Sequence, residues 1–344
     1  MSNHFKRMML FVLLLLGSVS LPSSALAQSV NCPNPTIANV QFGTIDFATG
    51  TVNVSGSVAW SCTSTGILGL ILSPQANIAM CLNLNTGTGG AQANPRLLSS
   101  GSNTLNYQIY TNAGDSQIWG STATPTTPTP LLIPVSIPAG LLFSTTVNGN
   151  TPFYAQLPGT QTSAPASTYN STLGVAVSGS YTLNANTPLS SCSSGTTVLN
   201  TGSATFVTSA TVQKFCLVTT NNVNFGAIPS TAVNTTASSS INVTCTNGTP
   251  YFVGLSPSNA NTAGAGVMSG SIGGNTDKVP YQLSSTPGPS GTVWGNTATS
   301  TTVGNGKAGT GTGLAQPLNV YATVPGANYR PDSYSDTVTV NVNY

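Results

Sequence analysis

Residues 336–344 read Asp-Thr-Val-Thr-Val-Asn-Val-Asn-Tyr. Val338, Val340 and Val342 alternate with Thr337, Thr339, Asn341 and Asn343, the period of two that puts one set of side chains on each face of a strand. Val and Thr are β-branched, so both faces favour extended backbone. The same texture runs back to residue 28, where short apolar runs are punctuated by Gly, Pro, Ser, Thr and Asn, and no stretch keeps a helical period. An all-β chain is predicted.

Upstream of that strand stand Cys216, Phe225-Gly226, Cys245, Ser256-Pro257, Tyr281-Gln282-Leu283, Trp294-Gly295, Val324-Pro325-Gly326 and Tyr334. The first half repeats these landmarks in order as Cys32, Phe42-Gly43, Cys62, Ser73-Pro74, Tyr107-Gln108-Ile109, Trp119-Gly120, Leu157-Pro158-Gly159 and Tyr169. Two copies of one β-domain follow, at residues 28–213 and 214–344. The repeated aromatics are expected in the cores, and the apolar runs at 67–72 and 251–255 are expected to be strands. Among the pairings open to six cysteines, the repeat selects Cys32–Cys62 and Cys216–Cys245. Cys81 and Cys192, both in the first domain, pair by elimination. Each matched bridge would stabilise its domain by about 3–4 kcal/mol in the chain-entropy model, and all three imply an oxidising compartment.

Residues 1–27 fit that compartment. Lys6 and Arg7 precede an apolar run from Met8 to Leu16, and Ala25-Leu26-Ala27 suits cleavage, as in a secretory signal peptide. The run is far shorter than the roughly 20 residues that span a bilayer. Charged residues are 3% of the chain, Glu is absent, and the one histidine, His4, lies in the leader. General acid–base catalysis and activated nucleophiles need His or a positioned carboxylate, so no catalytic residue and no enzyme is predicted. The single, scattered aspartates offer no metal site, no cofactor is implied, and the few Lys and Arg exclude nucleic acid as a partner.

The copies differ at their ends. After its equivalent strand near Leu173–Val177, the first copy runs on through Tyr181 and Cys192 to another strand-like stretch, Ala204–Val212, whereas the second stops at its alternating strand. The first domain is expected to hold one more strand. The second would expose an apolar groove and an unpaired sheet edge, which donor-strand addition would cover.

Cys216, Phe225-Gly226, Cys245-Thr246, Tyr281 with Leu283, Trp294-Gly295, Val324-Pro325 and the ending Tyr334-Ser335-Asp336-Thr337-Val338-Thr339-Val340 together resemble the spore coat protein U family, which includes subunits of archaic, Csu-type chaperone-usher pili. The resemblance covers the whole second domain and the first more loosely. It implies tandem immunoglobulin-like β-sandwiches, the C-terminal one lacking its last strand. It also implies a periplasmic chaperone that lends that strand, an outer-membrane usher, and an adjacent pilin subunit whose N-terminal extension replaces the chaperone. Only Gln28–Asn31 precede Cys32 in the mature chain, at most about 14 Å of backbone. The subunit is therefore expected to accept a strand without donating one, and to sit at the pilus tip on the cell surface as an adhesin.

The largest insertion of the first domain holds Pro130–Phe143, with prolines at 125, 128, 130, 134 and 138 that argue against a central strand. It is either an edge strand packed on the sandwich or a pair of stiff, exposed apolar loops. On the second reading Leu131, Leu132, Ile133, Val135, Ile137, Leu141, Leu142 and Phe143 would grip a hydrophobic abiotic or host surface, promoting attachment and biofilm formation. A second insertion, Gln75–Pro95, sets Ile78-Ala79-Met80 beside Cys81, as a structural clip or the brace of another loop. Two other functions stay open: a structural coat or minor pilus subunit without its own receptor, and a lectin-like adhesin, which needs polar and aromatic side chains gathered on one face.

Overall fold

The computed structural model describes residues 28–66, 73–141, 143–200 and 202–344. The leader at 1–27, the strand expected at 67–72 and Leu142 lie outside the described residues. The first half contributes β1 (Ser29–Asn31), β2 (Thr36–Ile37), β3 (Val40–Ile45), β4 (Val52–Thr65), β5 (Ala76–Leu84), β6 (Arg96–Ser100), β7 (Asn103–Tyr110), β8 (Leu131–Ile137), β9 (Ser144–Leu157), β10 (Ser167–Leu183), β11 (Thr197–Val198) and β12 (Gly202–Val212). These form a continuous network in which β4, β9 and β7 run side by side and β10 is flanked by β5, β6 and β12. The second half contributes β13 (Cys216–Thr220), β14 (Val233–Cys245), β15 (Pro250–Pro257), β16 (Ala265–Gly270), β17 (Lys278–Ser284), β18 (Lys307–Thr310), β19 (Gln316–Gly326), β20 (Tyr334–Ser335) and β21 (Val338–Asn343). They divide into a six-stranded sheet, β13-β14-β19-β17-β16-β20, and a three-stranded one, β18-β15-β21. The chain is all-β, and each half closes its own core.

The sequence repeat is a repeat of pairings. The β4–β9 ribbon corresponds to β14–β19, β6–β7 to β16–β17, β5–β10 to β15–β21, and β5–β8 to β15–β18. Trp119 and Trp294 are fully buried and donate their indole N–H to Leu82 O at 2.7 Å and Val253 O at 2.8 Å. Gln108 and Gln282 donate to Ala93 O and Ala263 O. Tyr169 donates to Pro165 O at 2.9 Å and Tyr334 to Arg330 O at 2.7 Å, each four residues back, the corner bond found in immunoglobulin-type sandwiches. All three disulfides form as expected, with Cys216 and Cys245 directly opposite one another across β13 and β14.

One position breaks the symmetry chemically. Arg96 is fully buried opposite Tyr107, and its guanidinium donates to Asn85 O, Ala93 O, Gln108 Oε1 at 2.6 Å and Trp119 O at 2.8 Å. Burial lowers its pKa to about 10 against the opposing pull of Tyr107. It therefore stays charged at neutral pH, satisfied by neutral acceptors. Gly266 takes the same place opposite Tyr281, where a Cβ would collide with the tyrosine ring.

Two expectations about loops are corrected. In β8, Leu131, Ile133, Val135 and Ile137 are buried and alternate with half-buried Leu132 and exposed Pro134 and Ser136. These four side chains are core, and they cannot reach an outside surface. Among the described residues β8 pairs with β5 alone, which makes it an edge strand, where the missing N–H of Pro134 is tolerated. Ile78, Ala79 and Met80 likewise lie in β5, every residue of which is buried, between β10 and β8. Ile78–Met80 are therefore core and not an exposed loop, and Cys81 clips this strand to the connection that carries Cys192.

Candidate functional site

The halves differ most at one strand position. In the first half β12 lies between β10, to which it is antiparallel, and β3, to which it is parallel. Phe206, Thr208, Ala210 and Val212 of β12 are buried, as are Val40, Phe42 and Ile45 of β3 and Leu173, Val175 and Val177 of β10. In the second half Val-Asn-Phe-Gly-Ala-Ile at 223–228 is the counterpart of Val-Gln-Phe-Gly-Thr-Ile at 40–45, and β21 is the counterpart of the middle of β10, residues 173–178. Gly43 and Gly226 both bend the chain in a left-handed conformation, φ +78° and +67°, which accounts for the repeated Phe-Gly. Residues 223–228 form no strand, and among the described residues β21 pairs only with β15. Among the described residues none fills the place that β12 fills. Val223, Phe225, Val338, Val340 and Val342 consequently stay half-buried at the edge of the core. The result is an open strand position with an apolar floor and an unpaired backbone edge.

The approach to β21 is pinned by polar contacts. Asp332 accepts from the Ser271 hydroxyl, the Ile272 N–H and the Asn275 amide, and Tyr281 donates to Asp336 Oδ2 at 2.6 Å. Burial, followed by this bond and the Asp336 charge, raises the Tyr281 pKa well above the usual tyrosine range. The unfolded chain would ionise first, near pH 10, so this contribution is intact below that pH and lost as the pH rises beyond it. Burial also raises Tyr107, Tyr169 and Tyr251. Melting temperature should therefore hold level up to about pH 10 and then fall. Tyr281→Phe should make the alkaline fall shallower, and an unchanged slope would remove Tyr281 from this account.

A second feature lies at the far end of the long β4–β9 ribbon, whose last pair is Thr65 with Ser144. Gly66 N donates to Phe143 O at 2.6 Å, and Ser73 and Gly140 exchange backbone bonds at 3.0 and 3.2 Å. The segments flanking residues 67–72 and 141–143 are thus tied together. Leu141 is 78% exposed and Phe143 57%. Of the eight surface-binding candidates the structure brings these two together at an exposed tip. It buries four in the core, leaves Leu132 half-buried, and does not describe Leu142. Among the described residues no group of three metal-ligating side chains gathers and no cysteine is free.

The Spore Coat Protein U domain family matches residues 19–176 and 202–341 of the chain. No curated protein matches it. Among solved structures, a chain of the CsuC-CsuE chaperone-tip adhesion subunit pre-assembly complex, from archaic chaperone-usher Csu pili of Acinetobacter baumannii, is similar with a TM-score of 0.49 and 15% identity, covering 92% of this chain and 100% of that one. The CupB6 tip adhesin from Pseudomonas aeruginosa is similar with a TM-score of 0.33 and 12% identity, covering 92% and 93%.

Proposed function

The chain belongs to the Spore Coat Protein U domain family, and from that premise we propose that it is a non-enzymatic adhesin subunit carried at the tip of a chaperone-usher pilus. The observation that carries this reading is the asymmetry between a first half whose strand position is filled by β12 and a second half whose equivalent position is open. A repeating structural subunit has no need of a self-complete extra domain. A terminal one does, because its outer domain must fold without a neighbour while its inner domain docks onto the fibre. On this proposal residues 28–213 are the adhesive domain and residues 214–344 the acceptor. A periplasmic chaperone first lends the missing strand, and at an outer-membrane usher the adjacent subunit then replaces it by β-strand addition. The leader at 1–27 would direct export.

The adhesive surface proposed is the tip at Leu141 and Phe143. Each large apolar side chain fully buried on contact contributes about 1.5–3 kcal/mol, and many pili on one cell multiply weak contacts. Leu141→Ser with Phe143→Ser should leave pilus assembly intact, since both side chains are exposed, and should cut attachment to polystyrene and biofilm mass by about tenfold or more. Unchanged attachment by normally piliated cells would return the chain to the reading of a structural or minor pilus subunit.

A further inference from the structure

The outer face of the β4–β9–β7 sheet carries a different kind of surface from the apolar tip. Phe153, Ala155 and Leu157 of β9 point into the core, so Tyr154 and Gln156 point outward. Register places Asn53 opposite Gln156, Ser55 opposite Tyr154, and Tyr110 of β7 on the other side of Tyr154. The turn after β7 then folds over this face. Asn112 holds the turn by accepting from the Ser116 and Gln117 backbone N–H groups and donating to the Ser116 hydroxyl. Asp115, in a left-handed conformation with φ 49°, reaches the Gln156 amide at 3.5 Å, and that amide also donates to Asn53 Oδ1 at 3.1 Å. Between turn and sheet is an open cleft of about 340 Å³ lined by Asn53, Ser55, Asp115 and Tyr154.

The chemistry of this cleft is specific. It offers one half-exposed aromatic ring, a carboxylate and the Asn53 amide, the latter two both hydrogen-bonded to Gln156, and all are held on strands or on a braced turn. Among the described residues the carboxylate has only one contact, a long one, so most of its acceptor capacity is unspent. The Tyr154 hydroxyl has no partner among the described residues. Charge narrows the ligand further. Arg96 is the one cation between residues 28 and 213, and it is fully buried. The surface of this half therefore has no lysine or arginine side chain to pair with a sulfate, phosphate or sugar acid, while Asp115 would repel them.

We propose that this cleft binds a neutral pyranose, its C–H face laid on the Tyr154 ring and two neighbouring hydroxyls shared between Asp115 and the Asn53 amide. A sugar presents this combination of an apolar face and a rim of hydroxyl donors, and the aromatic ring with its polar tip meets both. The site is open and small, so a single ring binds in the millimolar range and useful grip comes from many pili on a polysaccharide. It shares no residue with the tip at Leu141 and Phe143, and either could hold without the other.

Saturation-transfer NMR tests it, using the full mature chain purified with its chaperone, the chaperone alone as control, and methyl glycosides of glucose, galactose, mannose and N-acetylglucosamine as probes, with glucuronate as the acidic probe. Transfer to at least one neutral glycoside is expected. Tyr154→Ala and Asp115→Ala should each weaken it about tenfold, Tyr154→Phe should largely retain it, and Leu141→Ser should leave it unchanged. Asn53→Leu, an exposed change, gives an independent reading should either alanine variant fold poorly, and it too should weaken binding. No transfer to any neutral glycoside would overturn the proposal. So would glucuronate binding as well as the neutral sugars, or transfer that survives Tyr154→Ala and Asn53→Leu in folded protein.

Discussion

Fusing the first half's own strand, Gly202–Val212, after Tyr344 through a flexible linker is expected to raise the unfolding temperature of the second half by on the order of 10 °C. In the first half that strand buries Phe206, Ala210 and Val212 between β10 and β3. In the second half the matching floor, Val223, Phe225, Val338, Val340 and Val342, is half-buried and already aligned. A buried Phe or Val contributes about 1.5–3 kcal/mol, and the floor residues lose their remaining exposure at the same time. The strand also pairs the free edge of β21, and tethering reduces the cost of bringing it there. Calorimetry of the full chain with and without the fusion measures the effect. A control fusion with Asp in place of the Phe and the final Val should give almost none of it. If the two fusions melt alike, the position does not accept a strand.

The second large effect concerns the bridge that has no counterpart in the other half. Cys81–Cys192 closes 111 residues, so removing it returns about 4–5 kcal/mol of chain entropy to the unfolded state. Cys81 sits in the middle of β5, where every side chain is buried, while Cys192 is half-exposed on the connection between β10 and β11. Replacing both with Ser should lower the first half's transition steeply and leave that of the second half in place, because the two cores are separate. It also sets two hydroxyls where sulfur was, one of them in the core, which adds to the loss. Equal melting of variant and parent would mean that residues 184–196 are held by their own contacts and that the bridge is incidental.

What could be read from the sequence was what repeats. Cys216 and Cys245 were pairable because Cys32 and Cys62 stand at almost the same separation, and Trp119 and Trp294 declared themselves as core by recurring at one place in the register. The extra strand was visible as Ala204–Val212 with no partner in the second copy. Pro130–Phe143 left an edge strand and a pair of exposed loops both open, and its alternation is what decides for the strand. Leu131, Ile133, Val135 and Ile137 have the period of a half-buried strand, and Pro134 falls on the solvent side of an edge where no ladder bond is needed. Its counterpart β18, Lys-Ala-Gly-Thr, is too short and too polar to have signalled the equivalence. The cleft beneath Asp115 had no signal at all, because Asn53, Asp115 and Tyr154 come from three distant segments that only the pairing of β4 with β9 and the fold of one turn bring together.

Arg96 has a consequence beyond its place in the core. With that charge sealed inside, the first half meets its surroundings with two carboxylates, Asp46 and Asp115, and no lysine or arginine side chain. Moving from dilute to strongly saline water shortens the reach of charge from about 10 Å at 0.1 M to about 3 Å at 1 M, yet such a surface has almost no long-range attraction to lose. A cell holding on through this half would keep its grip in a river, an estuary or drying brine, where an organism anchored by lysines would let go.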